Sequence, residues 1–170
     1  KDTKNARVEN CTILGNDYPD TDGIDYDEVE NGIIRGNTIY GFRGTNSDAI
    51  DIGENSQNIL IEKNLIMNIS DKGISVGQGS SVNINNNVIY GCNMGVGIKD
   101  RNSIAKIDYN TFYANKYGIA VYEKNSKAGG SRANISNCIF SQIKKDAVYV
   151  DSLSKATVQY SISDSVMLKG

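Results

Sequence analysis

Four aspartates recur at matched places: Asp22 and Asp25 flank Gly23-Ile24, and Asp48 and Asp51 flank Ala49-Ile50. Lys72 precedes Gly73-Ile74, where the two earlier copies carry Asp22 and Asp48. Carboxylates brought close together repel, and such a cluster persists when a cation bridges it or a proton is shared. Calcium takes several oxygen ligands at about 2.3–2.6 Å, so Asp22, Asp25, Asp48 and Asp51 are candidate Ca²⁺ ligands. A lysine beside them acts as a base when burial lowers its pKa and a bound cation offsets the carboxylates. Asp22, Asp48 and Lys72 are therefore the candidate catalytic set. The competing reading makes the aspartates turn caps that face water through Asx hydrogen bonds.

Composition narrows the chemistry. The chain has no His, which removes a Ser-His-Asp triad, a Cys-His pair and a His-ligated zinc. The charge is near balance, with 20 acids against 18 bases, which argues against nucleic acid or a membrane surface as partner. No apolar run approaches the roughly 18 residues of a membrane span. Cys11, Cys92 and Cys138 have no metal-motif spacing and read as small buried residues.

The elements that must position the aspartates follow from self-similarity. A small residue, Ile or Val, any residue and an apolar residue recur at Gly23, Ala49, Gly73, Gly95, Gly118 and Ala147, about 24 residues apart. A second motif interleaves with it, giving a column of Cys11, Asn37, Asn64, Asn87, Asn110, Cys138 and Ser161. The chain has 22 Ile against 5 Leu, with 21 Asn and 17 Gly, which favours short strands and tight turns over helices. Two interleaved strand motifs predict an all-β, single-stranded right-handed parallel β-helix, a solenoid of about seven turns stacked about 4.8 Å apart. Asn at the corner column is expected to take the left-handed bend and to bond the next rung's amide. Residues 1–170 read as one such domain, with chain ends that suggest a piece of a longer polypeptide. Two turns are lengthened, at residues 27–31 and 123–131, and insertions of this kind lie near the working face of a solenoid. Tyr40, Tyr90 and Tyr113 fall in one column with Leu14 and Met67, either a packed ladder or a surface for sugar rings.

The whole chain resembles the pectin-lyase-like superfamily of right-handed parallel β-helices. The segments Asp20-Thr21-Asp22-Gly23-Ile24-Asp25, Ser47-Asp48-Ala49-Ile50-Asp51 and Asp71-Lys72-Gly73 carry two partial likenesses. The first is to the polygalacturonases, whose pattern Asp22, Asp48 and Lys99 match. There Ser47 replaces an Asp, Lys72 a His and Gly97 an Arg. The second is to calcium-dependent polysaccharide lyases of the β-helix type, in which Asp residues of adjacent turns hold Ca²⁺ and a Lys takes the proton α to a uronate carboxyl. By that likeness Asp22, Asp48 and Asp51 are ligands, and Lys72 or Lys99 is the base. The run from Thr21 to Gly130 also resembles bacterial surface β-helix repeat proteins.

The resemblance implies an acidic polysaccharide as partner, Ca²⁺ as cofactor, and an extracellular or cell-surface setting for a monomer or a module of a larger protein. Lys99, Lys124 and Arg132 are the candidate substrate-binding cations. Two functions stay open: calcium-assisted β-elimination on a bound glycan, or a non-catalytic solenoid that displays loops for glycans or proteins. Without an intact acid and base pair, hydrolysis is the weaker enzymatic expectation.

Overall fold

A computed structural model describes residues 2–164 and the backbone of Leu168–Lys169. Among these residues the chain winds through three parallel sheets of seven strands each. The first sheet holds Arg7–Glu9, Ile33–Arg35, Ile59–Glu62, Ser81–Asn85, Ile104–Asp108, Arg132–Ser136 and Lys155–Gln159. The second holds Thr12–Leu14, Thr38–Tyr40, Leu65–Met67, Val88–Tyr90, Thr111–Tyr113, Ile139–Ser141 and Ile162–Ser163. The third holds Ile24–Asp27, Ile50–Gly53, Lys72–Val76, Met94–Lys99, Tyr117–Tyr122, Val148–Val150 and Leu168–Lys169. One strand from each sheet makes a rung, so the fold is the expected solenoid of seven turns. The first lengthened turn adds a short strand, Val29–Glu30, which pairs with Thr3–Lys4.

Register agrees with the sequence columns. Ile24, Ile50, Ile74 and Val96 pair in series in the third sheet, and Val8, Ile34, Ile61 and Ile84 do so in the first. The inward positions are filled by Ile, which explains its excess: Ile34, Ile39, Ile50, Ile61, Ile66 and Ile84 are fully buried. Stacked β-branched side chains repeat at the rung spacing and pack as continuous columns. Phe112 stacks on Phe140 at 5.0 Å in the same manner.

The corners carry polar ladders. Asn37, Asn64, Asn87 and Asn110 are buried, and each Oδ1 accepts the backbone N–H of the column residue one rung earlier at 2.9 Å. Their Nδ2 groups donate to Val8, Ile34, Ile61 and Ile84 carbonyls at 2.8–3.0 Å. A second ladder of buried serines, Ser56, Ser80, Ser103 and Ser131, serves the corner after the third sheet. The left-handed bend falls one residue before the Asn column, at Asn10, Gly36, Lys63, Asn86, Tyr109 and Asn137. The ladder Asn is thus selected for its amide, and the strained backbone conformation is left to its neighbour, corrected from the sequence expectation. Cys92 and Cys138 are buried as expected, but Cys11 is exposed. It belongs to the first rung, which has a stacked neighbour on one side only.

The Asn ladder sets a stability expectation. Asn87→Ala strips partners from the backbone N–H and Nδ2 of Asn64 and from the Ile61 carbonyl. Urea unfolding should show a loss of about 3–5 kcal/mol, the cost of several buried unsatisfied groups.

Candidate functional site

The columns of the third sheet assemble the charged residues on its outer face. Asp22 and Asp48 sit just before their strands. The Oδ1 of Asp22 accepts the Asp48 N–H at 2.7 Å, and the Oδ1 of Asp48 accepts the Lys72 N–H at 2.8 Å. Each carboxylate therefore caps the next rung's backbone. Lys72 is only 1% exposed, with its Nζ 3.3 Å from Asp48 Oδ1 and in direct contact with the Asp71 carboxylate. A buried ammonium is tolerable only when paired in this way. Burial pushes Lys72 down, but Asp48 and Asp71 outweigh it and hold the amine above its ordinary range. Burial also raises Asp48, to about 6, because one ammonium is divided between two carboxylates and Asp71 and Asp51 repel.

Lys99, one rung beyond Lys72, is in the opposite state. Its Nζ lies 3.9 Å from Asp51 Oδ1, and its side chain is 11% exposed. Burial lowers its pKa; Asp51 opposes this, while the positive charges of Lys72 and Lys124 add to the lowering. Glycine makes room for both lysine stems. A Cβ on Gly97 would stand 2.8 Å from Lys72 Cδ, and one on Gly77 would stand 3.0 Å from Lys99 Cε. Each lysine thus lies over a glycine of the other's rung. Ser75 shares the column of Asp51 and Gly97, and its Oγ is buried with no hydrogen-bond partner among the described residues. Tyr122 pairs with Lys99 on the following rung, and burial pushes its hydroxyl up to about 12, with Lys72 pulling back.

The sequence matches the right-handed β-helix region family over residues 1–165. This chain is a right-handed β-helix protein. No curated protein matches its sequence. Among solved structures it is similar to an alginate lyase from Paenibacillus sp. str. FPU-7, with a TM-score of 0.75 at 14% identity over 99% of this chain and 73% of that one. It is also similar to the A-module of the Azotobacter vinelandii mannuronan C-5 epimerase AlgE4, with a TM-score of 0.69 at 11% identity over 98% of this chain and 56% of that one. At these identities the likeness is one of fold. No helix among the described residues is long and apolar enough to cross a membrane.

Within this β-helix the expected site residues divide. Asp22, Asp48, Asp51, Lys72 and Lys99 lie on one sheet face, as their columns require. Asp25 pairs with Asp51 in register but is exposed at the outer surface, and burial, Asp27 and Asp51 raise its pKa. Asp22 and Asp48 spend an oxygen on backbone N–H groups, and Asp48 is further held by Lys72. Among the described residues no group of three or more His, Cys, Asp or Glu side chains is placed to hold a metal ion. The residues present therefore do not fit the expected calcium site. Lys124 stands on the second long loop, where Asp100 accepts the N–H groups of Lys124 and Asn125. Its Nζ reaches back to Asn46 Oδ1 at 3.4 Å. Arg132 starts a strand of the first sheet and is exposed there, around the corner from Lys99. Asp71 and Tyr122 escaped the sequence reading; their signal was adjacency to Lys72 and membership of the column after Lys99.

The Asp48 shift carries a sign. A carboxyl raised from its ordinary 3.8 to about 6 favours the folded state at low pH, and that contribution is lost as pH rises through about 6. Thermal unfolding of the wild type across this range should show a fall in Tm that Asp48→Asn lacks. Parallel curves for the two proteins would contradict the assignment.

Proposed function

We propose that the outer face of the third sheet holds an acidic polysaccharide and cleaves it by β-elimination, with Lys99 as base. The observation that carries this reading is the setting of Lys99: a largely buried amine lying over Gly77, 3.9 Å from Asp51 Oδ1, with its charge disfavoured by burial and by two neighbouring lysines. A base must shed its proton to act, and that environment shifts the amine in the direction the role requires. Lys72 is buried and doubly paired, so it serves as a fixed internal cation in place of the base expected from the sequence. Two proteins that share the fold are named as an alginate lyase and a mannuronan C-5 epimerase, which supports a uronate polymer as substrate class.

The chemistry needs three groups. The neutral amine of Lys99 takes the proton from the carbon α to the uronate carboxyl. The electron pair left behind forms the C4–C5 double bond as the C4–O4 bond breaks. Tyr122, protonated because its hydroxyl lies far above neutral pH, gives its proton to the departing O4. Charge on the uronate carboxyl grows in the transition state, and the ammonium of Lys124, which contributes positive potential at Lys99, meets it, a role electrostatic preorganisation favours. No step runs through calcium: Asp22 and Asp48 each spend an oxygen on a backbone N–H, and Asp48 is held by Lys72. The reading goes with an extracellular or cell-surface setting, where such polymers are met.

Incubation with polymannuronate, polyguluronate and polygalacturonate should yield an ultraviolet-absorbing unsaturated product from at least one polymer. Lys99→Met should abolish it, and Tyr122→Phe should lower its rate about 10²-fold or more. Lys124→Met, by removing a positive neighbour, should move the rise of activity to higher pH. Binding without product would leave a glycan-holding module; no binding to any polyuronate would overturn the reading.

A further inference from the structure

The third sheet changes character along its length. Its first rungs carry Asp22, Asp25, Asp48 and Asp51, and its middle rungs carry Lys72 and Lys99. Farther on, the same columns hold Met94, Tyr117 and Tyr149. The rings of Tyr117 and Tyr149 stand 5.9 Å apart at 58°, half-buried on the outer face. Gly97 and Ala120 precede Tyr149 in its column, and both are buried, Gly97 beneath the Lys72 stem. Two exposed lysines flank the pair. Lys116 Nζ lies 5.7 Å and Lys145 Nζ 5.4 Å from the Tyr117 ring centre, and Lys145 donates to the Tyr117 hydroxyl at 3.2 Å. Asp151 accepts the N–H groups of Glu123 and Leu153, and Asp146, beside Lys145 in the chain, is buried.

We infer that Tyr117, Tyr149, Lys116 and Lys145 form a distal subsite that stacks one uronate ring and pairs its carboxylate. A pyranose presents a flat C–H face to an aromatic ring, and the lysines match an anionic substituent beside it. Tyr149 lies two rungs beyond Lys99, roughly 10 Å along the axis at the rung spacing. A trisaccharide spans that distance, so the subsite engages a chain whose reacting unit sits at Lys99. The inference rests on the reading of this sheet face as a polyuronate site, and it adds a length preference that the reacting residues alone do not create.

Calorimetric titration of the full chain carrying Lys99→Met, which leaves oligomers uncut, with di-, tetra- and hexauronates tests it. Tyr149→Ala and Tyr117→Ala should each weaken the longer ligands by about 3- to 10-fold, the worth of one aromatic contact, and leave the dimer unchanged. Tyr149→Phe should retain the affinity, which separates ring stacking from misfolding. Lys145→Met should reduce the dependence of hexamer binding on salt. Unchanged affinity for the hexamer in both tyrosine variants would overturn the subsite while leaving the reading of this sheet face as a polyuronate site intact. Absence of oligouronate binding in both this chain and the wild type would overturn both.

Discussion

Most buried polar side chains among the described residues find a partner one rung away, about 4.8 Å along the axis. The solenoid core is otherwise made of Ile, Val and Phe, and an unpaired amide there costs as much as a hydrogen bond gains. The Asn ladder answers this constraint by giving the Oδ1 of Asn64, Asn87 and Asn110 two N–H donors each from the rung before. The serine ladder answers it at another corner with a shorter side chain. Both devices fix the register of successive turns, and register in turn decides which residues share a column.

The charged face of the third sheet obeys the same rule with stronger partners. Asp22 caps the N–H of Asp48, and Asp48 caps that of Lys72. Once Asp48 is committed to the backbone and to Lys72, it is no longer available as one of several equal ligands around a cation. Lys72 is drawn beneath the surface, and its stem takes the room that Gly97 leaves. Its charge then lies near Lys99 and adds to burial in lowering the pKa of that amine.

Much of this was legible in the chain itself. The period, the two interleaved motifs and the Asn column can be read directly because a solenoid converts sequence distance into stacking. The residues on the third sheet were grouped correctly for the same reason. The environments of the lysines were not legible. Lys72 and Lys99 look alike in one-dimensional notation, yet Lys72 is paired with two carboxylates and Lys99 lies 3.9 Å from one, Asp51. Arg132 belongs near the long loop in sequence but starts a strand on another sheet. Tyr122 gave no motif, since a tyrosine beside a lysine in adjacent rungs leaves no local signal.

The sequence by itself determined the architecture, the order of the columns, and the absence of histidine chemistry. These depend on periodicity and residue type, which stacking at a fixed spacing makes nearly one-dimensional. The tertiary structure alone decided how far each side chain travels from its own rung. Lys72 bends back toward Asp48, Lys99 toward Asp51, and Lys124 crosses from a loop to Asn46. Long flexible side chains choose among several neighbours by burial and charge, and those are properties of the assembled sheet face.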